Sequence, residues 1–258
     1  RAIQLDAPLE FDGRLDESVY RDVPPVSGFT QQEPAEGELA TDQTEVWVLF
    51  DDDTFYVSLR CWSEDPERII ANEIKRDGRG IFGNETIAVL IDTFLDRRNG
   101  YEFKTNLLGG IFDATVANEQ TSNRDWNGVW NVRASRFEEG WSVEMAIPFK
   151  TLRYRPGGTQ RWGLNVQRRV AAKNEISFLA PIPRALSYMG MYKFSSAATI
   201  VDLKVPDSGR RFEIKPYGIA DATTQFSGAG GSTALGADGG VDVKVGVTEG
   251  LTADFTYN

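Results

Sequence analysis

Glu45-Val-Trp-Val-Leu-Phe50 and Phe55-Tyr-Val-Ser-Leu-Arg-Cys61 flank Asp51-Asp52-Asp53-Thr54, and this stretch decides the fold. Two β-rich runs joined by a short polar tip predict a hairpin. With a side-chain period of two, Phe55, Val57, Leu59 and Cys61 share one face while Tyr56, Ser58 and Arg60 take the other. The same grammar continues outward. Glu85 to Asp92 is almost wholly apolar in its middle, as in a strand covered on both sides. It leads through Asp96-Arg97-Arg98-Asn99-Gly100 into Tyr101 to Asn106, and Asn-Gly is a strong hairpin signal. Trp130 to Phe137 and Trp141 to Ile147 pair around Glu138-Glu139-Gly140, and Trp162 to Val170 and Ile176 to Leu179 predict two further strands.

Helical signals are few. Asp65-Pro66-Glu67 followed by Ile69, Ile70 and Ile74 predicts a capped short helix with an apolar stripe, and Pro148 to Leu152 predicts a single turn. Many short strands punctuated by turns indicate an all-β fold, an antiparallel β-sandwich over residues 1–205. Beyond it, 10 of the 25 glycines fall after Pro206. There, residues 206–258 read as a linker and a C-terminal β-hairpin extension. Phe212 to Phe226 is extended, Ser227 to Gly240 is a glycine-rich loop, and Val241 to Val247 and Leu251 to Tyr257 alternate around Thr248-Glu249-Gly250. Such strands occur in outer-membrane barrels and equally in amphipathic hairpins of soluble sheets.

Composition excludes several chemistries. The 258 residues contain no histidine, which removes Ser-His-Asp and Cys-His catalysis and histidine-ligated metals. The charge of −10, from 28 basic and 38 acidic residues, disfavours nucleic acid and anionic membrane faces. Cys61, the only cysteine, reads as a small core residue. No apolar run approaches the ~18–20 residues of a membrane helix.

Asp12-Gly13-Arg14-Leu15-Asp16-Glu17 and Thr44 to Trp62 resemble the carbohydrate-binding family 9-like β-sandwich (CBM9-like). Val89 to Phe103, Asp125-Trp-Asn-Gly-Val-Trp130, Gly140-Trp141, Ile147 to Arg153, Trp162 to Arg168 and Asn174-Glu175 are similar to its DUF5916-type subgroup. In that subgroup the sandwich precedes an outer-membrane barrel, and Arg211 to Tyr217 with the final hairpin resembles the linker into it. On this resemblance most of such a barrel lies outside the 258 residues. It implies a non-catalytic, extracytoplasmic module in the periplasm or at the outer membrane, with no cofactor. The ligand stays open, because a fold does not fix a function.

Sugar recognition uses aromatic platforms and planar polar side chains. Trp126 and Trp130, in a segment rich in turn residues, are the candidate platforms, with Tyr101, Asn106, Arg97 and Arg98 as ligand-binding partners. The competing reading places both tryptophans in the core or in a structural corner. Trp47, Trp141 and Trp162 lie within alternating strands and are expected in the core. Asp51 to Asp53 and Asp92 with Asp96 offer carboxylates for calcium, but match no metal-loop spacing, and solvated turn aspartates are the default. Haem would need Met145, Met189, Met191 or Lys193, and Ser187 to Tyr192 reads as well as a plain apolar strand. Two functions follow: binding a carbohydrate or other small ligand, or docking as an accessory subunit onto a membrane-complex protein partner.

Overall fold

The structure is a computed structural model. It describes residues 1–206, 212–227, 230–246 and 252–257. The chain divides into two compact units, Arg1–Asp207 and Ser208–Asn258.

The first unit is a β-sandwich. One sheet joins β1 (Ile3–Gln4), β3 (Thr44–Phe50), β4 (Thr54–Trp62), β10 (Gly140–Pro148) and β9 (Asn131–Phe137), in that spatial order. The other runs β2 (Thr30–Glu33), β12 (Glu175–Phe178), β11 (Thr159–Val170), β5 (Thr86–Asp92), β6 (Gly100–Thr105), β7 (Ile111–Ala117) and β8 (Thr121–Asn123). β13 (Ala198–Lys204) also pairs with β11. Pairing within the sandwich is antiparallel except for β1 beside β3.

The β3–β4 hairpin forms where the sequence places it, with Phe50 opposite Phe55. Its tip is held by Asp51, whose Oδ1 accepts the Asp53 and Thr54 amides at 2.8 and 2.7 Å and whose Oδ2 accepts the Tyr56 hydroxyl at 2.9 Å. The carboxylate thus caps its own turn. Phe55, Val57, Leu59 and Cys61 are fully buried against Ile87, Val89 and Ile91 of the facing sheet. Each such side chain stabilises the fold by about 1.5–3 kcal/mol. Trp141 and Trp162 lie in the same core, and burial pushes the Cys61 thiol up to about 12. Arg168 and Glu85 are a buried pair within it, 3.0 Å apart, and Glu85 also accepts the Trp141 indole N–H at 2.8 Å.

The outer face of the five-stranded sheet is covered by the N-terminal segment. Leu15 and Tyr20 pack on Trp47 and Leu49, so Trp47 is buried outside the inter-sheet core. On this face Glu144 accepts the Asp12 and Gly13 amides at 3.1 and 2.9 Å and the Tyr20 hydroxyl at 2.8 Å. Burial, the largest influence, still raises the Glu144 carboxyl to about 7.

Two local readings are corrected. The Asp65–Ile74 stretch forms only a three-residue 3-10 turn, Pro66–Arg68, and Ile70 and Ile74 are exposed. One turn lacks the cooperativity that sustains a helix, so tertiary contacts draw the chain out. The glycine-rich stretch is also not a loop. β14 (Phe212–Ser227), β15 (Gly230–Gly246) and β16 (Thr252–Tyr257) make a three-stranded antiparallel sheet in the second unit. Pairing along the whole of β14 supplies the hydrogen bonds that the glycines' weak β preference does not. Val247, Thr248 to Gly250 and Leu251 lie outside the described residues.

Candidate functional site

Tyr101, Trp126 and Trp130 do come together, but as packing around Phe103. Ring centroids lie 5.1 Å apart for Tyr101–Trp126, 5.9 Å for Phe103–Trp126 and 5.2 Å for Phe103–Trp130. Trp130 is buried and donates its indole N–H to the buried Asp113 carboxylate at 2.9 Å. Tyr101 is buried and its hydroxyl accepts the Arg153 amide at 2.9 Å. Asn106 is fully buried: its Oδ1 accepts the Leu108 and Gly110 amides, and its Nδ2 donates to the Glu73 carbonyl and Asn84. These three therefore serve the scaffold, which corrects their placement in a ligand site. Arg97 is tied to the Ala197 carbonyl and to Thr199 Oγ1, and Arg98 is exposed and donates to Asn118 at 2.8 Å. Both belong to the turn before β6, whereas Asn106 follows its other end, so the six residues make no single surface. Trp126 alone keeps a half-buried ring. Asp92 and Asp96 accept amides of their own turn, at Asp96 and Arg97 and at Arg98 and Asn99 respectively.

A different cluster stands out on the outer face of the larger sheet. Strand alternation turns Tyr101 and Phe103 of β6 inward and Glu102 and Lys104 outward. Each has one small and one large apolar cross-strand neighbour: Ala88 and Phe112 flank Lys104, and Ala114 and Leu90 flank Glu102. Over this face fold Met191, Tyr192 and Phe194 on one side and Ile81 on the other. The charged pair is therefore enclosed, Glu102 fully and Lys104 to 5 % exposure.

The enclosure is electrostatically incomplete. Lys104 Nζ lies 3.1 Å from Glu102 Oε1, yet neither Glu102 oxygen has a partner in hydrogen-bonding geometry. Leaving a buried charged acceptor unsatisfied costs about 1–3 kcal/mol or more, so such groups mark strain or function. The ammonium also faces the rings of Phe82 and Phe112, at 4.6 and 5.6 Å from their centroids. Arg124, exposed, lies over the same two rings at 5.4 and 5.8 Å. Phe82 is 38 % exposed, so the aromatic pair runs from the buried charges to the surface. Beside them the Tyr192 hydroxyl is raised by burial first and by the Glu102 charge second. Of these groups, the Phe82 face and the Arg124 guanidinium reach the surface. The sequence reading assigns Glu102 and Lys104 no role, because the residues that cover them lie far along the chain.

With this geometry in place, the chain can be set beside known proteins. No protein-family model matches the sequence, and no curated protein matches it. Among solved structures, a family 9 carbohydrate-binding module (CBM9) from Caldicellulosiruptor kristjanssonii in complex with cellotriose superposes at a TM-score of 0.53. It is 14% identical, and the match covers 80% of this chain and 93% of that one. A CBM9 structure from the same organism in complex with glucose gives 0.51 at 13% identity, over 81% and 96%. A candidate carbohydrate-binding protein of Bacteroides uniformis ATCC 8492 gives 0.59 at 11% identity, over 80% and 98%. The likeness is one of fold. At these identities it makes the chain a CBM9-like β-sandwich and assigns no residue.

Proposed function

We propose that the protein is a non-catalytic carbohydrate-binding module. Its sugar would be held at Phe82 and Arg124, above the enclosed Glu102–Lys104 pair. The observation that carries this reading is the partly exposed Phe82 ring, with the exposed Arg124 guanidinium 5.4 Å from its centroid and the buried Lys104 ammonium 4.6 Å from it. The Phe82 face takes the apolar side of the sugar ring and the guanidinium donates to its hydroxyls. The known complexes of similar folds with cellotriose and glucose support a neutral glucan as the ligand class.

Calorimetric titration with cellotriose tests this. Wild-type binding that is lost in Phe82→Ala and Arg124→Ala, and kept in Trp126→Ala, is the expected outcome. Absence of binding to any glucan at millimolar concentration would sink the reading.

The proposal extends to location: the bacterial envelope, outside the cytoplasm, in the manner of DUF5916-type proteins. Support comes from the second unit. By register, Ile214, Pro216, Ala220 and Ala222 lie on one face with Leu235, Ala237, Val241, Val243, Val245, Ala253, Phe255 and Tyr257. The opposite face carries Tyr217, Asp221, Thr223, Asp238, Asp242 and Thr256. Ile214, Leu235, Phe255 and Tyr257 are all more than half exposed. An exposed apolar sheet face opposite a polar one fits lipid on one side and water on the other. The same face favours a second reading, docking onto a protein of a membrane complex. Purification from native membranes in mild detergent separates the two: a stoichiometric partner supports docking, and lipid association without a partner supports insertion.

A further inference from the structure

The N-terminal segment keeps apart an acid and a base that the sheet places side by side. Glu144 of β10 is fully buried, with Ser58 of β4 directly opposite on one flank and Arg133 of β9 directly opposite on the other. Directly opposed residues of antiparallel strands share a face, with Cβ atoms about 4.5–5.5 Å apart. Arg133 is therefore the natural counter-ion of Glu144. Its guanidinium lies instead over the Phe11 ring, 5.7 Å from the centroid, and donates to the Val132 carbonyl at 3.0 Å. Asp12 and Gly13, which follow Phe11, give their amides to the Glu144 carboxyl in its place.

The seat of this segment is closely fitted. Gly13 has a φ of +86°, and an added Cβ would lie 2.8 Å from the Ala134 backbone, so glycine alone fits against β9. Its carbonyl accepts the Ser142 hydroxyl at 2.7 Å. The Tyr20 hydroxyl lies 2.8 Å from both Glu144 Oε1 and Ser58 Oγ. With a proton on Oε1, Tyr20 accepts from Glu144 and donates to Ser58, so the neutral acid is fully hydrogen-bonded. No other neighbour compensates the ionised form. Asp12 and Glu17 are acids, and Arg14 is exposed beside Asp12. Tyr56 is bonded to Asp51, and Arg60 is committed to Glu45 and the Leu15 carbonyl. Burial, with Glu17 adding to it, accordingly raises the Glu144 carboxyl to about 7.

We propose that Phe11–Arg14 is a proton-controlled latch. With Glu144 protonated it lies down on β9 and β10; with Glu144 ionised it lifts, and Arg133 swings onto the carboxylate. Opening thus releases a proton to solvent. It becomes commoner as pH rises from the ordinary carboxylate range towards the raised value of the closed state, and levels off above it. The latch rests on nothing in the glucan reading.

Hydrogen exchange of the full chain between about pH 5 and about pH 8 tests this, each amide rate being divided by its unstructured rate at the same pH. Protection of the Asp12 and Gly13 amides should fall by about tenfold or more across that range, and both should stay less protected than Val57 and Val143 of the core strands. Glu144→Gln should make their protection independent of pH. Arg133→Gln removes the ion pair of the open state, so opening at the alkaline end should become about threefold rarer. If Glu144→Gln does not fold, Gly13→Ala decides: low protection of Asp12 at every pH supports the latch, and wild-type protection overturns it. A wild-type protection that ignores pH, a slope that survives Glu144→Gln, or alkaline opening untouched by Arg133→Gln would each overturn the proposal. So would exchange of Asp12 and Gly13 in step with Val57 and Val143, since the segment would then open only on global unfolding.

Discussion

Both outer faces of the sandwich bury a glutamate, and the two are treated in opposite ways. Glu144 lies under the N-terminal segment and receives two backbone amides and a tyrosine hydroxyl. Glu102 lies under the Met191–Phe194 side and receives an ion pair but no hydrogen bond. The first carboxylate is accounted for by the scaffold, which marks a structural lock. The second is held by its ion pair alone, so its place in the fold depends on Lys104.

The largest expected effect strikes the second face. Lys104→Ala leaves Glu102 buried without its counter-ion, and chemical denaturation should show a loss of about 3–5 kcal/mol. Replacing both, Lys104→Met with Glu102→Leu, should recover most of that stability. A double variant as unstable as Lys104→Ala would end the contrast between the two carboxylates.

Next in size is Trp130→Ala. Removing a buried indole that also satisfies Asp113 should cost about 3–5 kcal/mol in denaturation. Glucan affinity per folded molecule should be unchanged, because the residue packs the core and does not touch the proposed site.

The first face is probed by pH. The Glu144 carboxyl is raised to about 7 from an unperturbed 4.5, so the folded chain holds this proton more tightly than the unfolded one. Stability therefore falls as pH rises between those values and levels above them, by an amount on the order of 3 kcal/mol. In Glu144→Gln this part of the slope should vanish from urea denaturation series. A slope that survives unchanged would show that another group titrates instead.

The smallest stability effect is expected for Phe82→Ala. Its partly exposed ring should contribute under about 1 kcal/mol to folding, whereas its loss should weaken cellotriose binding roughly tenfold. The two numbers separate a recognition residue from a packing residue.

Much of the fold is legible from alternation alone. Phe55, Val57, Leu59 and Cys61 are sorted correctly because a period of two has only two faces, and one of them meets Ile87, Val89 and Ile91. What defeats the reading is the third layer. Whether Glu102 and Lys104 meet water depends on residues nearly 90 positions later folding back over β6, and no local pattern encodes that return. Trp130 reads equally as a platform or as core, and what decides for the core is Asp113 of β7, a strand that the pattern did not single out, which takes its indole inward. The glycine-rich stretch misleads differently, since its pairing with β14 decides its state.

The sandwich is sealed by its own extremities. The Ala2 amide donates to the Val201 carbonyl at 2.8 Å, and Lys204 reaches Gln4 at 3.2 Å, joining β1 to β13. β1 finds its β3 partner within about the first 50 residues, but its join to β13 spans nearly the whole unit, and contacts of such long sequence separation are slow to form. Until those contacts form, the two sheets are not yet stitched together along this edge.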